Sequence, residues 1–269
     1  ARIIMFVSHP IIEFPRAGIP AGLSARAEGA YLGLAVGDAL GATTEFMTPR
    51  EIRQAHGEHR QLSGGGWLRL RRGQVTDDTE MSLALGGAIL GAGGVDARAI
   101  AESFSAWMRG KPVDIGHTVR RGIVRYRQTG QTVMPLNDQD AGNGACMRAL
   151  PIALCTLGLE ADAVAEANRI QSHTTHHSPL GDAGTLTAIR MVQTALLGGD
   201  LAKLRLLAEA LVVEEPRYRY DRQRLENPGG YIVETLQAVF QALFGTHDFE
   251  TALIDVVNRG GDADTTGAI

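Results

Sequence analysis

Apolar residues recur at helical spacing through almost the whole chain, and this periodicity restricts the fold more than any other feature. In residues 78–90, Met81 and Leu85 mark one helix face, while Leu83 and Leu90 place apolar side chains on other faces. A helix that is apolar on nearly all sides is expected to be buried. The same spacing recurs at residues 96–108, 186–196, 204–211 and 232–243. The sequence therefore predicts a single all-α domain of about ten helices.

Alternation of the kind that marks a β-strand is confined to one short stretch. Residues 67–71, WLRLR, alternate well enough to predict a brief strand.

Asp96 stands where the helical stripe of residues 96–108 begins, and we interpret it as the N-cap of that helix. Gly, Ala and Leu dominate the composition and aromatic residues make up only 5%, a balance typical of closely packed helices.

The composition also excludes several classes of protein. With 26 basic and 30 acidic residues the net charge is −4, so no basic surplus indicates a nucleic-acid partner. Cys146 and Cys155 are too few for a disulfide scaffold and lack metal-binding spacing, so both are predicted to be reduced core residues. No stretch predicts a transmembrane helix or a signal peptide, and we expect a cytoplasmic protein.

The sequence of residues 1–24 resembles no later segment of the chain. We interpret these residues as an N-terminal extension before a domain at residues 25–269.

Two clusters of acids and threonines offer candidate functional groups. GQVTDDTE, residues 73–80, places acids and threonines directly before a predicted buried helix, and GGDADTTG, residues 260–267, repeats the layout. Helix capping is the simplest explanation of both. Asp77 could open a capping box with the glutamate three residues later, and Asp264 or Thr265 could cap the last helix.

Capping accounts for one acid in each cluster and leaves the other acids unexplained. A like-charge pair at about 4 Å costs roughly 4 kcal/mol at an effective dielectric constant of about 20. If the clusters converge, they therefore need a cation or must bind protons. All-oxygen ligands favour Mg²⁺, Mn²⁺ or Ca²⁺ over zinc or copper, and two acidic clusters offer enough oxygens for a pair of ions.

Three other interpretations fail because the surrounding sequence does not fit them. DADTTG opens like an EF-hand loop, but the glutamate at the twelfth position of such a loop would lie beyond Ile269. DADTT also matches the signature of haloacid-dehalogenase-type phosphatases, yet no βα alternation surrounds it. His173 and His177 have the spacing of a zinc-protease helix, but Thr174 stands where the catalytic glutamate belongs. Surface or substrate-contacting histidines are the favoured interpretation.

A third signal is GLAVGDALGATTEFMTP, residues 33–49, in which a small-residue helix leads to Glu45 between apolar neighbours. A carboxyl group in an apolar setting has a raised pKa and suits general acid/base chemistry. A solvent-facing loop glutamate is the alternative, and the residues alone leave both open.

Three separated stretches agree with one protein family. GLAVGDALGATTEF, GQVTDDTEMSLAL and VNRGGDADTTGAI resemble the ADP-ribosylglycohydrolases, and most of all their bacterial members that act on dinitrogenase reductase. GGGWLRL, KPVDIGHTVRRGI, DAGNGACMRALP, THHSPLGDA and YIVETLQ support the match in the same order. The resemblance covers residues 24–269 and implies an all-α, orthogonal helical bundle. It also implies a cleft that holds two divalent cations, Mn²⁺ or Mg²⁺.

By motif match, the resemblance implies which side chains hold the ions. One half of the ligand set would be Thr76, Asp77 and Asp78, and the other half Asp262, Asp264 and Thr265. The terminal cluster would thus complete a binuclear site with residues from far earlier in the chain.

The activity implied by the resemblance is removal of ADP-ribose from a modified side chain, which is arginine in the most similar members. Breaking the ribose C1–N bond builds positive charge at C1, which cations and carboxylates can help to stabilise. Glu45 would orient or deprotonate the attacking water. Asp114 matches a functionally important acid of the family, and an N-cap for the helix that carries Val119 and Ile123 is its alternative role.

The resemblance further implies contacts to the nucleotide. These contacts would come from Gly116, His117, Asp140, Asn143, Gly144, His176 and Tyr231. Asn143 and Gly144 lie in a glycine-rich segment whose backbone N–H groups suit a diphosphate, and Tyr231 matches a residue near the adenine.

A metal-dependent glycosidase of ADP-ribosyl-arginine protein is therefore the leading functional hypothesis. A non-catalytic ADP-ribose-binding module is the alternative from another class, and a hydrolase of another ADP-ribose linkage or of a phosphate ester is a third. The presence of every expected acid favours the enzyme. The expected partners are an ADP-ribosylated protein as substrate and ADP-ribose as product. The resemblance implies dinitrogenase reductase as that protein, and a regulatory protein partner is a further prediction.

The last stretch departs from the family pattern. Family members continue past DTTGAI with further helix, so we expect a C-terminal helix that is truncated in this sequence. A single remaining turn is expected to fray and to hold its ligands poorly.

Overall fold

Twelve α-helices build the part of the chain that the computed structural model describes, namely residues 12–13, 21–137 and 141–269. The first six are α1 (Leu23–Gly41), α2 (Pro49–His56), α3 (Asp77–Ala92), α4 (Ala97–Arg109), α5 (His117–Thr129) and α6 (Leu150–Cys155). The second six are α7 (Ala161–Ser172), α8 (Pro179–Leu196), α9 (Leu201–Glu214), α10 (Ile232–Gly245), α11 (Phe249–Val257) and α12 (Ala263–Ala268). Short 3-10 turns lie at Asn143–Ala145 and Pro216–Tyr218. The prediction of an all-α domain is confirmed.

Extended structure is minimal in the described residues. Two strands of two residues each, β1 (Ile12–Glu13) and β2 (Gly94–Val95), pair antiparallel with Ile12 opposite Val95. The pairing ties part of the N-terminal stretch to the turn between α3 and α4.

The strand predicted at residues 67–71 is wrong. This stretch is a turn, closed by a bridge between Gly65 and Leu70. The three glycines before it all have φ between 65° and 86°, a conformation that ends a strand and that other residues rarely adopt. A Cβ atom on Gly66 would lie only 2.5 Å from the carbonyl oxygen of Ala42, so this loop packs tightly against the end of α1.

Helix α3 carries much of the core. Met81 and Leu85 are fully buried on its inner face, and the helix ends at Gly93, whose φ of 71° suits the left-handed C-cap position. The prediction of burial on nearly all sides is wrong, because Leu83 and Leu90 are exposed. Neighbouring helices cover one broad face of α3, and its apolar outer face stays in contact with solvent.

The predicted N-cap of α4 is confirmed. The Asp96 carboxylate accepts a hydrogen bond of 2.7 Å from the backbone N–H of Ala99, which satisfies one free donor at the start of the helix. The two cysteines are free thiols, as predicted; Cys146 is buried and Cys155 is half-buried.

Buried apolar side chains form two large clusters. One joins α3 to α7 and includes Ile100, Phe104 and Ile152, and the other joins α8, α9 and α10 around Leu236 and Phe240. Together with the smaller clusters, they make a helical core that supports the loops between the helices.

Helices α1 and α12 approach each other very closely. A Cβ atom on Gly37 would lie 1.8 Å from the carbonyl oxygen of Gly267, and one on Gly41 would lie 2.0 Å from that of Ala263. Only glycine permits this approach, because any side chain at these positions would collide with backbone. Every residue of α12 is buried. The truncation of the last helix stays a prediction.

None of the helices in the described residues combines the length and the hydropathy that a membrane crossing requires.

Candidate active site

The two acidic clusters converge, as the sequence predicted. Asp77 and Asp78 lie in the first turn of α3 and Asp264 lies in the first turn of α12, and each offers a carboxylate oxygen within 4.8 Å of the others. The Thr76 hydroxyl lies 3.3 Å from Asp264 Oδ2, which joins the two helix starts directly. All four of these side chains are buried.

Capping does not explain these acids. The N-cap of α3 is Thr76 and that of α12 is Asp262, and neither side chain makes a capping hydrogen bond. Asp77 and Asp264 lie inside their helices, so the predicted capping box at Asp77 and the predicted cap at Asp264 or Thr265 are wrong. Helix capping therefore does not account for these carboxylates.

The start of α3 is held by a residue that the sequence analysis did not assign to the site, Asp38 of α1. Its carboxylate accepts hydrogen bonds from the backbone N–H groups of Thr76 and Thr79, at 3.0 and 3.1 Å. The hydroxyl groups of the same two threonines donate to it at 2.8 and 2.5 Å. Asp38, from the neighbouring helix α1, thus supplies the capping hydrogen bonds that the Thr76 side chain does not make. The available signal was a single aspartate in the otherwise apolar second half of α1, residues 30–41.

A second group of acids joins the first at Asp264. Carboxylate oxygens of Glu45, Asp114 and Asp264 lie within 4.8 Å of one another. Glu45 is only 3% exposed, so the alternative of a solvent-facing loop glutamate is wrong. Trp67, from the turn after the three glycines, donates its indole N–H to Glu45 Oε2 at 2.6 Å.

Asp114 is not the N-cap of α5. The N-cap is Gly116, without a side-chain hydrogen bond, and Asp114 accepts instead from the adjacent backbone N–H of Ile115. The backbone N–H of Gly116 donates to Asp77 Oδ2 at 3.3 Å, so the start of α5 contacts the acidic cluster.

The predicted nucleotide contacts surround the same cleft, whose volume is about 380 Å³. Predicted site residues that line it are Glu45, Asp77, Asp114, Gly116, His117, Asn143, Gly144, His176, Asp262, Asp264 and Thr265. The Asn143 amide donates to Thr235 Oγ1 at 3.0 Å and also to Asp262. Tyr231 is exposed nearby, bridged through its backbone to Gly142. Asp140 lies outside the described residues.

Burial dominates the electrostatics of the cleft. Burial, assisted by the charges of the nearby acids, raises the pKa of Glu45 to about 8 against the opposing effect of the Trp67 hydrogen bond. Burial and the charge of Asp114 raise the pKa of Asp77 to about 7. The pKa values of Asp78 and Asp264 are raised well above their usual range by burial and by neighbouring carboxylates. Without a cation, these groups therefore tend to bind protons.

The donor set fits a hard cation. Asp78 Oδ1 is buried without a hydrogen-bond partner, which is costly unless a ligand satisfies it. Every ligand atom in the cluster is a carboxylate or hydroxyl oxygen, the set preferred by Mg²⁺, Mn²⁺ and Ca²⁺.

The histidine pair does not form a zinc site. The rings of His173 and His177 stack with their centroids 3.8 Å apart, and His173 Nε2 lies 2.8 Å from Asp182 Oδ2. Neither histidine belongs to a metal-capable group in the described residues.

Comparison with known proteins identifies the family. The sequence profile of the ADP-ribosylglycohydrolase family matches residues 20–269.

The chain belongs to the ADP-ribosylglycohydrolase family.

Relatives within the family are similar over most of their length. The ADP-ribosyl-[dinitrogen reductase] glycohydrolase of Rhodospirillum rubrum is 50% identical over 244 residues, which are 91% of this chain and 82% of that protein. The ADP-ribosylarginine hydrolase Tri1 of Serratia proteamaculans is 29% identical over 257 residues, or 90% of this chain and 69% of that protein. A solved structure described as an ADP-ribosylglycohydrolase-related protein complex superposes with a TM-score of 0.78 at 32% identity, covering 93% of this chain and 86% of that one.

Proposed function

We propose that this ADP-ribosylglycohydrolase hydrolyses the N-glycosidic bond between ADP-ribose and an arginine side chain of a protein. The observation that carries the proposal is the convergence of α3 and α12, which brings Asp77, Asp78 and Asp264 together beside Glu45. The Serratia relative is named as an ADP-ribosylarginine hydrolase and the Rhodospirillum relative as a glycohydrolase of an ADP-ribosylated protein, and both names support it.

The protein substrate proposed here is ADP-ribosylated dinitrogenase reductase. Half of the aligned residues are identical to the Rhodospirillum glycohydrolase, whose name gives this substrate. ADP-ribose and unmodified arginine are the expected products, and a regulatory partner stays a prediction.

Two divalent cations, Mn²⁺ or Mg²⁺, are the proposed cofactors. The side chains that would hold them are Thr76, Asp77 and Asp78 of the first cluster and Asp262, Asp264 and Thr265 of the second. When bound, such cations supply positive charge that polarises substrate oxygens and acidifies water.

The chain's own residues account for the proton transfers. Glu45 faces the cleft with a pKa raised to about 8, so its carboxylate is a base suited to taking a proton from the attacking water. The water oxygen bonds to ribose C1, and the electron pair of the C1–N bond passes to the guanidine nitrogen, which gains the proton that Glu45 took from the water. The carboxylate of Asp114 stabilises the positive charge that develops at C1.

The nucleotide is proposed to lie in the same cleft, beside the acids. The glycine-rich Asn143–Ala145 turn is proposed to contact the diphosphate and Gly116 to line the nucleotide's path, while His117 and His176 offer ring nitrogens and Tyr231 an exposed ring. Asp140 stays a prediction.

The test is release of free ADP-ribose from an arginine-ADP-ribosylated protein, with Mn²⁺ and with EDTA. We expect the wild-type protein to release ADP-ribose with Mn²⁺ and to lose this activity with EDTA. The variants Asp77→Ala and Asp264→Asn should release none even with Mn²⁺. Asp221→Asn, on the exposed surface, is the control and should retain activity. Mn²⁺-dependent ADP-ribose binding without release would identify a binding module instead. Release of inorganic phosphate would identify a phosphate-ester hydrolase.

A further inference from the structure

A buried arginine lies behind the wall of the cleft. Arg148 has no solvent exposure, and its guanidinium rests over the Phe104 ring, 4.4 Å from the ring centroid. Its Nε donates to Gln171 Oε1 at 3.0 Å, and its Nη2 donates to the Gln171 carbonyl at 3.0 Å and to the Thr175 hydroxyl at 2.7 Å. The mechanism above does not use this cation.

The Thr175 hydroxyl connects Arg148 to His176. Thr175 Oγ1 lies 2.8 Å from His176 Nδ1. A guanidinium can only donate, so Thr175 accepts from Arg148 and keeps its own proton for another acceptor. His176 Nδ1 is the acceptor in reach of that hydroxyl among the described residues. The hydroxyl therefore donates to Nδ1, and the proton of a neutral imidazole must then sit on Nε2.

The other side of the His176 ring faces the cleft. A Cβ atom on Gly142 would lie 3.1 Å from Nε2 and one on Gly144 would lie 3.0 Å from it, so only glycines leave the ring this room. His176 lines the cleft, and its Nε2 has no hydrogen-bond partner among the described residues. Burial, reinforced by the charge of Arg148, lowers the pKa of His176 to about 3, which keeps the ring neutral.

The surrounding chain fixes this arrangement. Gly122 of α5 packs against Thr175 so closely that a Cβ atom would lie 2.6 Å from Thr175 Cα. Gln171, which binds Arg148, also donates from Nε2 to the Ala145 carbonyl at 3.1 Å. The glycine-rich turn and the histidine therefore belong to one hydrogen-bonded unit.

We propose that Arg148 and Thr175 are positioning residues that hold His176 in its Nε2–H tautomer, so that it donates a hydrogen bond to an oxygen of bound ADP-ribose. The proposal rests on the proposed function for the identity of the ligand. An N–H donor suits a phosphate or hydroxyl oxygen, whereas the opposite tautomer would present a lone pair to it. A neutral donor also adds no positive charge beside the cations.

The first test is the protonation state of the ring in the full chain. Long-range ¹H–¹⁵N spectra of ¹⁵N-histidine protein, with His176 assigned by comparison with His176→Gln, report which nitrogen carries the proton. We expect a protonated Nε2 and a bare Nδ1. A proton on Nδ1 overturns the proposal, and this result needs no variant of Thr175.

The second test compares Thr175→Val with Thr175→Ser. Valine keeps the shape and removes the hydroxyl, so the fixed tautomer should be lost and ADP-ribose affinity in Mn²⁺ should fall about tenfold. Serine keeps the hydroxyl and should retain wild-type affinity. His176→Ala should lose as much as Thr175→Val, and the double variant should lose no more, because both changes remove one interaction.

Wild-type affinity in a folded Thr175→Val protein would overturn the proposal. If the valine variant does not fold, the wild-type spectrum still decides the matter. Both readouts are independent of hydrolysis. An inactive protein with the expected tautomer and affinities would therefore contradict the proposed function alone.

Discussion

At the scale of single residues, the contact between Trp67 and Glu45 controls the proposed base. Burial withdraws the Glu45 carboxylate from water, and the indole N–H at 2.6 Å partly compensates by stabilising the charged form. Trp67 also lies beside Phe46 at the mouth of the cleft, with ring centroids 5.3 Å apart. One exposed aromatic residue therefore sets both the charge of the base and the shape of its entrance.

Replacing Trp67 by Phe removes the N–H donor and keeps an aromatic ring. The pKa of Glu45 should rise, so a smaller fraction of the carboxylate is ionised at neutral pH. The rising limb of the pH–rate profile should move to higher pH by about one unit, with about a tenfold loss of kcat at neutral pH.

Trp107→Phe is the matched control, because Trp107 donates to Glu80 at 2.8 Å in the same way. It should leave the pH–rate profile in place. An unshifted profile in Trp67→Phe would show that the indole does not tune Glu45.

Sequence reasoning at this scale succeeded where the functional side chains are neighbours in the chain. The threonine-aspartate runs at the starts of α3 and α12 identified the convergent acids, whereas the neighbours of Glu45 left burial and solvent exposure both open. Asp38, Trp67 and Arg148 were not assigned because their partners come from other elements. Asp38, for example, binds threonines 38 and 41 positions away. No local pattern specifies such pairs.

At the scale of secondary-structure elements, Asp38 joins α1 to the start of α3. Removing it with Asp38→Ala leaves two buried backbone N–H groups without an acceptor, at a cost of about 1–3 kcal/mol each before relaxation. We expect a clearly lower melting temperature and weaker Mn²⁺ binding, because Asp77 and Asp78 follow directly.

Asp96→Ala removes a cap from α4 and serves as the control. It should cost about 1 kcal/mol of unfolding free energy and leave Mn²⁺ affinity unchanged. Thermal melting and Mn²⁺ titration of both variants make the comparison. Equal Mn²⁺ affinity in the two would contradict a positioning role for Asp38.

The contact of α1 with α12 gives a second prediction for an element. In Gly41→Ala the new methyl group would meet the Ala263 carbonyl at 2.0 Å, so α12 must move and carry Asp264 with it. We expect lower stability and at least a tenfold loss of activity, since misplaced catalytic groups are costly.

Gly29→Ala is the control on the same helix, where a methyl group would meet nothing within 4 Å. It should stabilise the protein by up to about 1 kcal/mol, because alanine has the higher helix propensity. Melting curves and ADP-ribose release measure both. Wild-type activity in Gly41→Ala would show that the close approach is not needed by the site.

Element prediction succeeded best where periodicity was long and failed where glycines intervened. The helices that carry Met81, Phe104 and Phe240 were recognisable from spacing alone. The WLRLR turn looked like a strand because alternation is visible in sequence, whereas the positive φ angles of the preceding glycines are not. The burial of α12 also required tertiary packing, because a short terminal helix has no signal for what covers it.

At the scale of the whole molecule, the metal-free protein holds carboxylates with raised pKa values. Asp77 and Glu45 bind protons in the folded state up to about pH 7 and about pH 8, while their ordinary values are 3.8 and 4.5. Between about pH 4.5 and about pH 8 the folded state therefore holds more protons than the unfolded state, so stability falls as pH rises.

We expect the melting temperature of the EDTA-treated protein to fall by a few degrees across this range, with a slope that is smaller in Asp77→Asn. Mn²⁺ should raise the melting temperature more at the upper end of the range, because protons compete with the cation for the carboxylates. Differential scanning calorimetry at several pH values measures both effects. A melting temperature that rises with pH in EDTA would contradict the cluster's electrostatics.

The pairing of Thr76 with Asp264 spans 188 positions, and this separation has a consequence for biosynthesis. On the ribosome, α1 and α3 emerge early and can pack together while α12 has yet to be translated. The proposed cation site then has only one of its two acidic clusters, so we expect the nascent polypeptide to be inactive. We expect activity only after α12 has packed against Gly37 and Gly41 of α1, so completion of the site is a late step of folding.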